Sequence, residues 1–191
     1  MKLKILVCLS LITTIASITR AARAQTFSVI HAFTEPSGVV PVSGVTIKAG
    51  VLYGTTICTR YCTGNGTVYQ IIPVGANWYF TPISLLSAGG VDPEARVVFG
   101  PDNQLYGTTF VGGPQGNGVV FSLTPLVSIC KTANCVSTEK VLHLFTDSPD
   151  GANPGGGDLI WDAMGNIYGT TLYGGTSSDG TVYQMTKSGN D

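Results

Sequence analysis

Charged residues are scarce in this chain of 191 residues, where Lys, Arg, Asp and Glu together account for 11%. That fraction is too small for a disordered polyelectrolyte, a coiled coil or a nucleic-acid-binding protein. Beyond the first 24 residues, no stretch has the apolar periodicity of an amphipathic helix. Glycine is abundant instead, with 25 residues, and together with ten prolines it excludes a helical bundle. A hydrophobic content of 43% is ample for a packed core.

The first 24 residues have the three parts of a secretory signal peptide. Lys2 and Lys4 form a basic start, residues 5–18 are apolar, and Ala22-Arg23-Ala24 offers small residues at the cleavage positions. A membrane anchor is the alternative, but about 14 apolar residues fall short of the roughly 20 that span a bilayer. We therefore expect cleavage before Gln25, a secreted or cell-surface location, and no membrane span in the mature chain.

Removal of this segment leaves six basic and eleven acidic residues, so no basic patch remains to bind nucleic acid. Four cysteines also remain, and an even number in an exported chain predicts disulfides. The close spacing predicts the pairs Cys58–Cys62 and Cys130–Cys135, each of which closes a short loop and stabilises little. A zinc site is the alternative, but two CxxC pairs and a nearby histidine are both missing from the sequence.

Three copies of one unit fill residues 25–191. The motif Tyr-Gly-Thr-Thr recurs at residues 53–56, 106–109 and 168–171. A run of the type Gly-Thr-Val-Tyr-Gln follows it at residues 66–70, 118–122 and 180–184. A His-x-Phe segment precedes the motif at residues 29–33 and 141–145, and residues 82–86 are a degenerate copy. These recurrences predict units at about 27–73, 79–125 and 139–187.

The residue pattern of each unit predicts four short β-strands. The strands are rich in β-branched and aromatic residues and are separated by turn residues. The His-x-Phe segment is the first strand, the Tyr-Gly-Thr-Thr motif ends the third, and the Val-Tyr-Gln run is the fourth. Four antiparallel strands in about fifty residues are typical of a β-propeller blade. We therefore predict an all-β fold, an incomplete β-propeller-like array of three four-stranded antiparallel blades. A parallel β-solenoid is the alternative, but its coils are shorter and lack hairpins.

The glycine of the motif needs a physical reason, because glycine weakens a strand. Close approach of a neighbouring sheet is the usual one. Since side chains alternate along a strand, the tyrosine and the first threonine of the motif should share one face and the glycine should lie on the other. We expect the three tyrosine rings to be substantially buried.

The second and third units resemble the GloVer tandem repeat. The residues that carry the resemblance are Leu105 to Thr109, Gly112-Gly113 and Gly118 to Phe121 in the second unit, and Asp150-Gly151, Pro154, Gly165 to Thr171, Gly174-Gly175 and Gly180 to Tyr183 in the third. The resemblance extends over nearly all of residues 27–186. GloVer repeats occur in exported bacterial proteins, many with a variable C-terminal sorting anchor that this sequence does not show. The resemblance implies export and a repeat architecture, and it brings no activity or catalytic residue with it.

A closed β-propeller ring contains about 4 to 8 blades, so three blades do not complete a ring. An open array exposes its terminal sheet faces and strand edges, which favours self-association. Two explanations stay open: the chain is part of a longer array, which we favour, or protomers assemble to close a ring.

The only histidines, His31 and His143, occupy equivalent positions in two units, which favours a structural role over a catalytic one. Neither has a distinctive partner for a Ser-His-Asp arrangement. The glycine clusters lack the Lys and the following helix of a phosphate-binding loop.

Side-chain oxygens cluster in one loop of the third unit, at Asp147, Asp150, Asn153 and Asp158. Calcium takes six to eight oxygen ligands, so this loop is a candidate calcium site, and calcium is the one cofactor that the sequence suggests. The alternative is a polar turn in which Asp and Asn bond their own backbone. In the matching loop of the second unit, Asp92 and Glu94 are candidates for a glycosidase carboxylate pair, although nothing fixes their separation.

Two functions follow from these observations. The first is an exported, non-catalytic repeat protein that binds a glycan or a protein. The second is an extracellular carbohydrate-active hydrolase or lyase that uses loop carboxylates, with or without calcium. Aromatic residues at 78–80 and at Trp161 could stack on a sugar or a protein, although strand aromatics more often belong to the core. The repetition of the units favours the first function.

Overall fold

The computed structural model describes residues 25–34, 38–57, 65–86, 89–126, 137 and 139–186. These residues form β-strands and no helix, which confirms the predicted all-β fold. The strands are β1 (Thr46–Lys48), β2 (Val51–Thr56), β3 (Thr67–Val74), β4 (Asn77–Leu85), β5 (Gly90–Val91), β6 (Val98–Phe99), β7 (Leu105–Thr109), β8 (Val111–Gly112), β9 (Val119–Leu123), β10 (Glu139–Leu144), β11 (Ile160–Trp161), β12 (Ile167–Thr171) and β13 (Thr181–Met185).

Two predictions from the sequence concern residues outside the described ranges. The signal peptide was assigned to residues 1–24, and the disulfides to Cys58, Cys62, Cys130 and Cys135. Both therefore stay predictions. Among the described residues, no helix has the length and apolar character needed to cross a bilayer.

Antiparallel pairing arranges the strands in three main sheets. The first sheet has the order β1-β2-β3-β4, the second has the order β6-β7-β9-β10, and the third has the order β11-β12-β13. A small fourth sheet pairs β5 with β8. The three Tyr-Gly-Thr-Thr motifs lie in β2, β7 and β12, which are equivalent strands of the three main sheets. The motif glycines also share one register, with the pairs Gly54–Tyr69, Gly107–Phe121 and Gly169–Tyr183.

The sheets group the strands differently from the sequence units. Strand β4 contains the degenerate first-strand segment of the second unit, yet it pairs with β3 of the first unit. Strand β10 contains the first-strand segment of the third unit, yet it pairs with β9 of the second unit. Each four-stranded sheet therefore takes three strands from one unit and its fourth strand from the next unit. The third sheet has three strands, and the corresponding segment of the first unit, within residues 25–34, forms no strand.

Consecutive sheets pack face to face. We call the side that carries the motif tyrosine the front face of a sheet, and the side that carries the motif glycine its back face. Front-face Tyr53 and Val68 of the first sheet share a buried cluster with back-face Leu105 and Phe121 of the second. Front-face Val120 of the second sheet belongs to a second cluster, together with back-face Leu159 and Ile167 of the third unit.

One aromatic contact recurs at both junctions between sheets. The Tyr53 ring meets the Phe99 ring edge to face, with 5.0 Å between centroids. The Tyr106 ring meets the Trp161 ring in the same way, at 5.1 Å. In each case the motif tyrosine of one sheet contacts the aromatic residue that ends an edge strand of the next sheet, β6 in the second and β11 in the third. The ring of Tyr53 is buried as predicted, whereas those of Tyr106 and Tyr168 are partly exposed.

The His-x-Phe segment at residues 141–145 connects the second and third sheets. Strand β10 is hydrogen-bonded to the second sheet, and Phe145, which follows it, packs on Tyr183 of the third sheet with 5.2 Å between ring centroids. Phe33 packs in the same way on Tyr69 of the first sheet, at 5.1 Å. The backbone of residues 139–144 thus completes the second sheet, while Phe145 covers the back face of the third. Residues 29–33 form no strand, and they share with this segment the packing of the phenylalanine.

The motif glycines face aromatic rings of their own sheet, which corrects the prediction that a neighbouring sheet comes close. A methyl group at Gly54 would lie 2.5 Å from Cζ of Tyr69, its cross-strand partner. At Gly107 the distance to Cζ of Phe121 would be 2.6 Å. The ring of the partner strand occupies the space beside the glycine, so no side chain fits there without displacing it.

We predict that Gly54→Ala lowers the free energy of unfolding by about 1–3 kcal/mol, the range for overpacking a core. The Tyr69 ring cannot move away, because it is 2% exposed and packs against Phe33 and Phe80. Urea denaturation of both proteins measures the difference. In a Tyr69→Leu background the same Gly54→Ala change should cost less, because leucine leaves room for the methyl group. An equal cost in both backgrounds would contradict this explanation of the glycine.

Candidate functional site

The third unit places one histidine beside one of the predicted calcium ligands. Nε2 of His143 lies 3.0 and 3.1 Å from the two carboxylate oxygens of Asp150. The same carboxylate accepts a hydrogen bond of 3.0 Å from the backbone N–H of Thr146. Asp150 thus has protein partners, and His143 has the distinctive partner that the sequence did not indicate.

The equivalent histidine of the first unit has a different environment. The His31 ring stacks on the Phe80 ring with 4.4 Å between centroids and an angle of 5° between the planes. Burial lowers the pKa of His31. The two histidines therefore share a position in the repeat but not a set of contacts, and His31 fits the structural role that was predicted for both.

Two more of the predicted calcium ligands are engaged by the second unit. Asp158 forms an ion pair with Arg96, whose Nε donates a hydrogen bond of 2.9 Å to the carboxylate. This hydrogen bond raises the pKa of Arg96. The side-chain amide of Asn153 donates a hydrogen bond of 2.8 Å to the carbonyl oxygen of Phe110. Both contacts tie a loop of the third unit to the second.

The remaining predicted ligand, Asp147, exchanges backbone hydrogen bonds with Gly151. Within the described ranges, no group of three or more His, Cys, Asp or Glu side chains is placed to hold a metal ion. Calcium binding by this loop stays a prediction.

The turns before the motif hold two aspartates that were not among the candidate site residues. Asp162 accepts hydrogen bonds from the backbone and side chain of Asn166 and, at 2.9 Å, from the hydroxyl of Tyr168. Asp102 accepts one of 2.7 Å from the hydroxyl of Tyr106. These aspartates hold the turn and the motif tyrosine together. An Asp four or six residues before the tyrosine recurs in the sequence, and this recurrence could have indicated the contact.

These contacts change the titration of the groups involved. Hydrogen bonds led by that from the Asn166 side chain hold the pKa of Asp162 below its usual range. Burial, followed by the hydrogen bond to Asp102, raises the pKa of Tyr106 to about 12.

Asp92 and Glu94 lie in the loop before β6. Burial raises the pKa of Asp92, and burial together with the charge of Asp92 raises the pKa of Glu94. A carboxyl group with a raised pKa is the kind of group that donates a proton in general acid catalysis. Among the described residues, the raised pKa values of these two carboxyl groups are the feature that favours the hydrolase alternative.

The aromatic residues that were considered for ligand stacking divide into two groups. Trp161 packs against Tyr106, and Phe80 packs against His31, so both belong to the interior contacts. Trp78 and Tyr79 are 39% and 43% exposed, near the tip of the hairpin between β3 and β4. This hairpin therefore carries two free aromatic surfaces.

A family model, the Gloeobacter/Verrucomicrobia repeat, matches residues 13–191. The chain belongs to this family. The match confirms the resemblance to the GloVer repeat that the motifs indicated. A search of the curated proteins and a search of the solved structures found no significant match to the chain.

In the Gloeobacter/Verrucomicrobia repeat of this chain, the second threonine of the motif closes the loop that follows it. The hydroxyl of Thr171 donates a hydrogen bond of 2.8 Å to the carbonyl oxygen of Tyr173 and accepts one of 3.0 Å from the N–H of Thr181. The hydroxyl of Thr109 makes the same two bonds with Val111 and Val119. The tyrosine, the glycine and the second threonine of the motif therefore all have structural contacts.

We predict that Asp162→Ala lowers the free energy of unfolding at about pH 7, because the hydrogen bonds from Asn166 and Tyr168 are lost. The folded pKa of Asp162 lies below its ordinary value of 3.8. Its contribution is therefore present above that value and is lost as the pH falls through the folded pKa. Urea denaturation at about pH 7 and about pH 2.5 should show a smaller difference from the parent protein at the lower pH.

Glu94→Gln is the matched control, with the opposite sign. The pKa of Glu94 is raised in the folded protein, so stability is lost as the pH rises through that pKa. Removal of the charge should raise the free energy of unfolding at about pH 7 by less than ~1 kcal/mol and change little at about pH 2.5. A loss of stability at neutral pH in Glu94→Gln, or a pH-independent loss in Asp162→Ala, would be inconsistent with these environments.

Proposed function

We propose that this chain is an exported, non-catalytic repeat protein that binds a glycan or a protein partner outside the cell, through the aromatic hairpin between β3 and β4. Export is inferred from the signal-peptide features of residues 1–24. The observation that supports the binding role most is the exposure of Trp78 and Tyr79 at the tip of that hairpin. Calcium is not needed for this role.

We further propose that the three main sheets are blades of an open, propeller-like array. Face-to-face packing of antiparallel sheets along the chain supports this arrangement. The second and third units each supply a fourth strand to the preceding sheet, and this exchange supports the arrangement as well because it joins consecutive blades.

The repeated residues and the hairpin residues have different roles, and this difference supports a binding function over a catalytic one. The repeated residues form the turns, the cross-strand ring contacts and the junctions between sheets. The hairpin is different, since Val74, Trp78 and Tyr79 form an exposed apolar tip beyond the buried part of the sheet. Trp78 and Tyr79 point to opposite sides of β4, so the tip offers two ring faces. Tryptophan and tyrosine stack on sugar rings and are enriched at protein interfaces.

A hydrolase that uses Asp92 and Glu94 is the second candidate, and the raised pKa of each carboxyl group is the observation that favours it. Such an enzyme would turn over a polysaccharide and lose its activity on Glu94→Gln. The binding protein would retain its ligand unchanged after the same substitution.

We predict that Trp78→Ala weakens the affinity for a ligand of the native chain tenfold or more. A tenfold loss corresponds to about 1.4 kcal/mol, which is the effect expected when an aromatic side chain is removed from an interface. Titration calorimetry on a ligand selected from a glycan array measures the affinity. Trp78→Phe keeps an aromatic face and should retain most of it. Met164→Ala, at an exposed side chain in the turn between β11 and β12, is the control. Full affinity in Trp78→Ala, or cleavage of the bound glycan, would refute the proposal.

A further inference from the structure

One position of the repeat is buried in two sheets and exposed in the third. Val68, Val120 and Val182 occupy the same register on the front faces, opposite the first threonine of each motif. Val68 and Val120 are 0% exposed, because the following sheet covers them, whereas Val182 is 81% exposed. Ile160 on the same face is exposed as well. The front face of the third sheet is therefore an uncovered copy of a surface that is covered twice within the chain.

Proline contacts at the junctions also show that the third unit lacks the neighbour that covers the first two. A methyl group at Gly66 of the first unit would lie 2.6 Å from Cδ of Pro93 of the second. At Gly118 of the second unit it would lie 2.7 Å from Cδ of Pro154 of the third. At the equivalent Gly180, the nearest atoms all belong to Thr171 and Leu172 of its own unit. The third unit has the surface for a following unit but, among the described residues, no following unit on it.

The strand edges repeat this pattern. Strand β3 is paired with β4, and β9 is paired with β10, but no strand in the described part of the chain pairs with the outer edge of β13. An open edge presents backbone N–H and C=O groups that readily bind another strand.

The complementary surface lies at the other end of the same chain. Residues 27–33 have the sequence type of residues 139–145, yet they form no strand, and Phe27 and Val29 are exposed. Ile47, which is also exposed, has the position of the ring residues that contact the motif tyrosine of the preceding sheet. Phe33 packs on Tyr69 of the first sheet, as Phe145 does on the third, so this segment is held at the end of the stack.

We propose that copies of this chain associate head to tail, with residues 27–32 of one copy added as the fourth strand of the third sheet of another. The pairing of β9 with β10 fixes the register that the second copy would adopt. In that register His31 lies opposite Val182, and Val29 lies opposite Tyr183. Val29 then enters the cluster between the second and third sheets, as Val141 packs in the cluster between the first and second. The inference goes beyond the binding role and does not rest on it.

The contact joins two different surfaces, so each copy keeps one free surface of each kind. Such heterologous association continues until the copies close a ring or form a filament. We therefore expect the average mass of the native chain to rise with protein concentration.

Two exposed positions test the proposal in the full chain, as its host cell processes it. Light scattering coupled to size exclusion should show Val182→Lys and Val29→Lys as monomers, since each places a charge in one half of the contact. Each variant keeps the other half intact, so a mixture of the two should give a one-to-one dimer and nothing larger. Both side chains are exposed in the single chain, so folding should be unaffected. Ile160→Lys is a second variant of the third sheet, for use if Val182→Lys does not fold.

Met164→Lys is the control, because Met164 is as exposed as Val182 but lies in a turn. It should associate like the native chain. A native chain that stays monomeric at its highest soluble concentration would overturn the proposal. If each of the single variants Val182→Lys and Val29→Lys still associates, the proposal is overturned as well. A mixture of the two variants that stays monomeric would also overturn it.

Discussion

Each junction between the main sheets depends on a short segment that belongs to two sheets at once. Between the second and third sheets, this segment is β10 together with Phe145. Its backbone saturates the edge of β9, and its phenylalanine covers Tyr183 on the back face of the third sheet. Backbone hydrogen bonds and ring packing would otherwise be separate sources of stability, confined to single sheets. Because one segment provides both, neighbouring sheets are expected to unfold together rather than one at a time.

This shared segment is also the part of the fold that the sequence could not predict. Strand positions follow from β-branched residues, turn residues and the alternation of side chains, and β2, β7 and β12 lie where the motifs placed them. Hydrogen-bonding groups, however, are the same at every strand edge, so a sequence pattern does not say which strand a segment joins. The sequence units therefore predicted the positions of most strands but grouped them into sheets wrongly, and residues 29–33 of the first unit form no strand. The role of the motif glycine was missed for the same reason, because the ring that covers it comes from the partner strand.

The candidate site shows a similar limit. The sequence placed four oxygen-bearing side chains in one loop and suggested calcium, but Asp158 has Arg96 as its partner and Asp150 has His143. Arg96 lies 62 residues away in another unit, and no pattern in the sequence connects the two. The aromatic residues were equally ambiguous, because Trp78 and Trp161 both follow strand patterns. Only the packing of sheets separates the exposed ring from the one that contacts Tyr106.

Hydrogen exchange of the native chain and of Phe145→Ala tests the shared segment most directly. The Phe145 ring is 2% exposed, and its loss should weaken both sheets that the segment joins. We expect faster exchange in β9 and β10 of the second sheet and also in β12 and β13 of the third. Leu144→Ala, at an exposed neighbouring side chain, should leave both sheets protected. Faster exchange confined to one of the two sheets in Phe145→Ala would contradict the account.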